Sequence, residues 1–187
     1  MRIIGHEPPH GVIGSGIYYP VRTDFGVWLE FARIIEEDTG ARAAMRALKL
    51  CYKDKIPQSP SEAISLLCRF FVGGAENERS DGASSEQLIS FSMDEELIYA
   101  SFLSEYGIDL SKAKLHWWHF LALIKNLGPD TALMRVVRVR ATKPSDIRDT
   151  KSRRMLLRQK RIYSLGRSNE NVADAISELF AVEQEVD

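Results

Sequence analysis

The sequence predicts a mainly α, compact multi-helix domain with a small N-terminal β-hairpin, and three observations predict it. Apolar residues recur at helical spacing from Phe25 almost to the end of the chain. Capping and breaking residues punctuate those stripes, and a single pair of β-prone runs flanks Gly14-Ser15-Gly16 near the start. With 187 residues, 44% of them apolar, the chain can bury a core as one domain. The expected organisation is a β unit over 1–23 packed on a helical body over 24–167, which contains a mobile loop at about 73–92, followed by a C-terminal helix and tail over 168–187.

The β unit comes first. "GVIGSGIYYPVRT" places two short β-prone runs around a turn whose residues tolerate positive φ, and Pro20 suits an edge strand. Asp24 then caps a helix whose stripe is Phe25, Trp28, Leu29, Ala32 and Ile35, ending near Thr39-Gly40. A second helix, about Ala41 to Lys53, aligns Ala44, Leu48 and Cys51 and stops before Ile56-Pro57. In "SPSE", Ser59 caps, Pro60 takes the first helical position and Glu62 completes a capping box; Ile64, Leu67, Cys68 and Phe71 form the buried stripe up to Gly73-Gly74.

From Gly73 to about Ser92 the chain is small, polar and aperiodic, with too little apolar surface to offset ordering, and it reads as a mobile loop. Helical signals return at Asp94-Glu95-Glu96, with Tyr99, Phe102, Leu103 and Tyr106 on one face and Gly107 as the stop. Ser111 is the expected cap of the helix carrying "HWWH", and Asp130 that of a helix with Leu133, Val136 and Val137 inside and Arg135 and Arg138 outside. After Pro144, "DTKSRRMLLRQKRIYSLG" is amphipathic: Met155, Leu156, Ile162, Tyr163 and Leu165 share one arc, and Arg153, Arg154, Lys160 and Arg161 the other. A last helix is expected over about Glu170 to Glu183.

Formal net charge is only -1, which argues against the whole molecule acting as a trap for nucleic acid or anionic lipid. Its distribution is uneven. From Arg135 to Arg167 there are 12 Lys+Arg against Asp146 and Asp149, a local +10, and the rest of the chain carries -11. Cys51 and Cys68 lie on apolar stripes and imply no disulfide framework. The N-terminus breaks into Gly and Pro before a signal-peptide run could form, and no stretch reaches the ~18 apolar residues of a membrane span, so an intracellular chain with no membrane partner is expected.

Candidate chemistry is sparse. Helical rotation of about 100° per residue puts Trp117, Phe120, Leu121, Ile124 and Leu127 on one stripe, Trp118 on its shoulder and His119 away from it. The two indoles therefore do not share a pocket. His116 and His119 lack companion ligands at metal spacing, there is no nucleophile elbow or phosphate-cradling loop, and "GSG" is too short for a dinucleotide fingerprint. No catalytic residue, cofactor site or metal site is predicted, and the chain reads as a non-enzyme. What remains is contact chemistry: Trp118 on a helix shoulder, and Arg153, Arg154, Arg158 and Arg161 in the basic segment 135–167, which would meet phosphates, an acidic partner or the chain's own acidic body. Aromatic interleaving is limited to Tyr163, which places nucleic acid behind a protein partner.

The blocks "YYPVRTDF", "SPSEAISLLCRFFVGG", "ISFSMDEELIYASFLSEYGIDLSKAKLHWWHFLALIKNL" and "RQKRIYSL", in this order from about Val12 to Leu165, resemble the gene-product-fifteen family of tailed-phage and prophage tail proteins. Thr23-Asp24-Phe25, Ile98 to Phe102, Tyr106 to Leu110 and His116-Trp117-Trp118 carry the resemblance most specifically; Gly26 and the length of the loop near Gly82 depart from the pattern. The resemblance implies a tail-morphogenesis protein, encoded between the major tail protein and the tape measure protein, a position associated with tail assembly chaperones. It transfers no catalytic residues. The function so implied is a chaperone covering the apolar helices of the tape measure protein, in contact with other tail proteins or further copies of itself, in the cytoplasm of the bacterial host. The rivals are a nucleic-acid-binding helical module and a structural component of the finished tail.

Overall fold

The computed structural model describes residues 5–38, 40–74 and 87–165. Among them the chain is mainly helical behind a two-stranded antiparallel hairpin, as the periodicity predicts. β1 (Gly11–Gly14) pairs with β2 (Ile17–Pro20), with Val12 opposite Tyr19 and Ile13 opposite Tyr18. The two-residue turn holds Ser15 at φ 47 and Gly16 at φ 77. This primed turn matches the right-handed twist of the flanking strands.

Seven α-helices follow among the described residues: α1 (Phe25–Glu37), α2 (Ala41–Cys51), α3 (Pro60–Phe71), α4 (Glu95–Tyr106), α5 (Trp117–Lys125), α6 (Ala132–Ala141) and α7 (Thr150–Ile162), with a single 3-10 turn at Pro144–Asp146. None of them is long and apolar enough to cross a membrane. The expected C-terminal helix over about Glu170 to Glu183 and most of the expected mobile loop, residues 75–86, lie outside the described residues. The far end of that loop differs from expectation. Ile89, Ser90 and Phe91 are buried, because Phe91 slots edge-on against Phe71 at 6.0 Å and so brings the chain back into the core.

An aromatic column organises that core. Trp28 stacks on Phe70 at 4.7 Å, Phe71 on Trp117 at 5.1 Å, Trp117 on Phe120 at 5.4 Å and Phe120 on Phe102 at 5.0 Å, linking α1, α3, α4 and α5. Each such pair contributes roughly 0.5–1.5 kcal/mol beyond its area burial. Buried faces are rotated slightly from several predicted stripes. α1 buries Phe31 and Ile34 where Leu29 and Ile35 were expected, and α3 buries Ala63, Leu66 and Phe70, leaving Ile64 and Cys68 half-buried. α4 turns Ile98, Ser101 and Phe102 inward and leaves Tyr99 and Leu103 exposed. A stripe of single residues cannot show these offsets where a helix is packed from two sides, as α1 is by α2 and α5 and α3 is by β1 and α2, because the wider face decides.

Caps were partly as expected. Asp24 accepts from the Gly26 amide at 3.0 Å, and Gly107, at φ 65, ends α4. The Ser59 hydroxyl accepts from the Glu62 amide at 3.4 Å, but the capping box is only half made: Glu62 Oε1 instead accepts from the Ser15 hydroxyl at 2.9 Å, tying α3 to the hairpin turn. Asp130 does not cap α6, whose flanking residue is Thr131; the Leu133 amide donates to the Ser101 hydroxyl of α4 at 3.0 Å. Nor does Ser111 cap the helix of the tryptophans, since its amide and hydroxyl both donate to Asp109 Oδ1. α5 starts only at Trp117 because His116 is held extended in a bridge to Asp24, just ahead of α1: the Phe25 amide donates to Leu115 O at 3.0 Å and the Trp117 amide to Thr23 O at 2.7 Å.

Candidate functional site

The two adjacent tryptophans divide the work of ending α3. Four carbonyls at a helix C-terminus lack partners inside the helix. Trp117 Nε1 donates to Phe71 O at 2.7 Å, and Trp118 Nε1 donates to Phe70 O at 3.0 Å. Trp117 is 0% exposed, sealed in the aromatic column, whereas Trp118 is half-buried on its shoulder. One indole is core. The other is core on one face and surface on the other.

Beside Trp118 opens a groove of about 350 Å³, lined by Pro9, Gly11, Val12, Ile13, Arg69, Phe70, Gly74 and Trp118. Its wall is β1, which packs on α3; its floor is the Phe70 ring, 5.5 Å from the Trp118 indole. Gly74 passes so close to the indole that a Cβ there would meet Trp118 Cη2 at 3.0 Å. Arg69 reaches across the rim to donate to Ile13 O at 3.3 Å. Ile13 is 61% exposed and its cross-strand neighbour Tyr18 54%, so an apolar lip continues from the groove over the hairpin. Most of this site is invisible to periodicity. Trp118 stands out in the sequence, but the partners that make it a groove come from 44 to 109 positions upstream, and only the Phe70-Phe71-Val72-Gly73-Gly74 stop hinted that an aromatic helix end was left to be covered.

His116 is the cap of α5. Its Nδ1 accepts from the Trp118 amide at 3.0 Å, and its Nε2 donates to Pro9 O at 3.0 Å, so both ring nitrogens are engaged and the tautomer is set. Burial pushes its pKa below the usual imidazole value, the Pro9 carbonyl opposes that, and His119 and His10 add to the lowering. His119 lies 5.8 Å away, ring to ring. Among the described residues no group of three or more His, Cys, Asp or Glu side chains is placed to hold a metal ion. Cys51 is buried and Cys68 half-buried, both are free, and burial pushes both thiols up, far from the thiolate a nucleophile needs.

The basic segment does not behave as one surface. Of the apolar residues expected to share one arc of α7, Met155, Leu156, Ile162, Tyr163 and Leu165, only Leu156 is buried, and Met155 and Ile162 are 64% and 66% exposed. Arg153 curls back so that Nε and Nη2 donate to Ile147 O, at 3.0 and 2.7 Å. Arg154, Arg158 and Arg161 are exposed, and no ion pair or side-chain hydrogen bond engages them among the described residues. Arg140, which the sequence placed with the basic stretch, is buried in an ion pair with Asp94. The structure thus separates two candidate surfaces: the Trp118 groove between the hairpin and α3, and the outer face of α7, which packs on α6.

A protein-family model described as Bacteriophage Gp15 protein matches residues 12–165. No curated protein and no solved structure matches the chain.

Proposed function

The chain belongs to the bacteriophage Gp15 protein family, of phage structural and morphogenesis proteins, and on that premise we propose that it is a tail assembly chaperone that covers apolar helices of the tape measure protein. The observation that supports this reading is the open groove beside Trp118, with its apolar lip at Ile13 and Tyr18. A tape measure protein is a long helical chain whose apolar stripes stay unpaired until the tube forms round it, and bare stripes of that kind aggregate. A groove floored by Phe70 and Trp118 takes the apolar residues of one such helix in the helix-in-groove mode.

Weak individual contacts suit the task. Many copies along one client raise the total affinity without slowing release of each, so incoming tube subunits displace the coat. The chain acts by contact, with no bond-making step, in the cytoplasm of the bacterial host.

Co-expression with the tape measure protein tests the reading. Soluble tape measure yield should rise several-fold and the two should co-purify; Trp118→Asp, on a half-buried shoulder, should abolish the gain while the variant itself stays folded. Unchanged client solubility together with no co-purification removes the chaperone reading, and abundance of this protein in purified virions places it in the finished tail instead.

A further inference from the structure

α7 keeps one side for its own domain and leaves the other bare. Leu156 is its only buried residue, and on that same side Lys160 Nζ donates to Arg140 O. Rotation of about 100° per residue puts Arg154, Arg158 and Arg161 in a ridge on the opposite side, with Met155 and Ile162 along one flank. Both aliphatic residues are exposed. Thr150–Ile162 carries six Lys+Arg and no Asp or Glu, and among the described residues no ion pair engages any of the six. An occupant that satisfies this face brings anionic groups and apolar side chains together.

The chain's own C-terminal segment has that composition. Residues 168–187 lie outside the described residues, and their sequence holds six Asp+Glu and no Lys or Arg, -6 against the +6 of α7. Glu170, Asp174 and Glu178 recur every four residues, the spacing at which side chains of a helix stack on one side. Ala175, Leu179 and Val182 fall beside them on the helix expected over about Glu170 to Glu183. Seven residues, 163–169, separate the end of α7 from Glu170, within the range of about two to eight that joins neighbouring helices in bundles. At 1.5 Å per residue the expected helix and α7 match in length, about 20 Å each.

From this complementarity we propose that residues 168–187 dock on the outer face of α7 of the same chain, antiparallel to it, with Leu179 and Ala175 over Met155 and Ile162 and with Glu170, Asp174 and Glu178 along the arginine ridge. Phosphates answer the arginines but leave both aliphatic side chains bare. The acidic segment answers both, and its short tether gives it a high effective concentration at the site. The inference concerns a different face from the Trp118 groove and stands whatever the client.

Photo-crosslinking in the full chain tests it. A benzophenone amino acid replacing exposed Met155 should attach to residues 168–187, identified by peptide mass, and mixed heavy- and light-isotope chains should show the link to lie within one chain. The yield should fall as salt is raised. Arg154→Glu, Arg158→Glu and Arg161→Glu together should cut it about tenfold, as should Glu170→Arg, Asp174→Arg and Glu178→Arg together. The six substitutions combined should restore it, which shows that neither set acted by misfolding. No link to the segment, links only between chains, links to nucleic acid in its place, or a yield indifferent to both sets of substitutions overturns the proposal.

Discussion

Arg140 and Asp94 form a two-pronged buried ion pair, with Nη1 2.6 Å from Oδ2 and Nη2 2.8 Å from Oδ1. Each partner has further bonds: Asp94 Oδ2 accepts from the Ser90 amide at 3.0 Å, and Arg140 donates to Leu88 O at 2.8 Å and Tyr163 O at 2.7 Å. One guanidinium thus joins the segment entering α4, α6 itself and the C-terminal end of α7. Residue exposures of 8% and 2% keep water away from most of this network.

Removing one partner leaves the other charge buried without compensation, which typically costs about 3–5 kcal/mol. Arg140→Met and Asp94→Asn should each lower unfolding free energy in urea by about that amount, whereas Asp94→Leu with Arg140→Met should recover part of it. Arg140→Met should also free the end of α7, seen as faster amide exchange over residues 150–163. Single variants that cost under ~1 kcal/mol would show the pair to be solvated.

The tryptophan caps predict an asymmetry between neighbours. Trp117→Phe removes the donor to a buried carbonyl, Phe71 O, and leaves a void in the aromatic column, so a loss of about 2–4 kcal/mol is expected. Trp118→Phe loses a half-exposed hydrogen bond and should cost under about 1.5 kcal/mol. Equal losses on chemical denaturation would contradict the division of roles.

These contrasts mark where sequence reasoning reaches its limit. Local rules found the hairpin, the Asp24 cap, the Gly107 stop and the burial of Trp117, because each depends on residues a few positions apart. Ser111 and Asp130 were misassigned as caps because the deciding partners are distant: Thr23 O sets the start of α5, and the Ser101 hydroxyl serves the start of α6. Arg140 looks like its basic neighbours in sequence and differs only in facing Asp94, 46 positions away. The apolar arc of α7 stays largely exposed, because an amphipathic pattern says that a face is apolar, not which partner covers it.

His116 supplies a pH dependence. Its folded pKa is lowered by burial, so the unfolded chain binds the proton more readily and stability rises with pH across that interval. The contribution is complete above the ordinary imidazole value near 6.5 and is lost as pH falls from there through the folded pKa, because a proton on Nδ1 ends its acceptance from the Trp118 amide. Wild type should lose stability over this window faster than His116→Asn, which keeps a capping oxygen without a titrating ring. Parallel curves would exclude His116 as the titrating group.

Thiol reactivity gives a separate check on packing. Cys51 is fully buried and both thiols are pushed up by burial, so neither should react with a neutral-pH disulfide reagent faster than the chain opens. Both should become reactive together on unfolding in denaturant. Prompt labelling of Cys51 in the folded protein would mean that the packing of α2 against α1 and α3 is loose.

Photo-crosslinking from the groove lip tests the central claim, that this protein works by laying its Trp118 groove on an apolar helix of the tape measure protein, most directly. A benzophenone amino acid replacing Ile13, which lines the groove and is largely exposed, should crosslink to apolar helical segments of the co-expressed tape measure protein. The same group replacing Met45, an exposed apolar residue of α2 outside the groove lining, should not. Equal crosslinking from both positions, or none from Ile13 while client and chain still co-purify, would contradict the account.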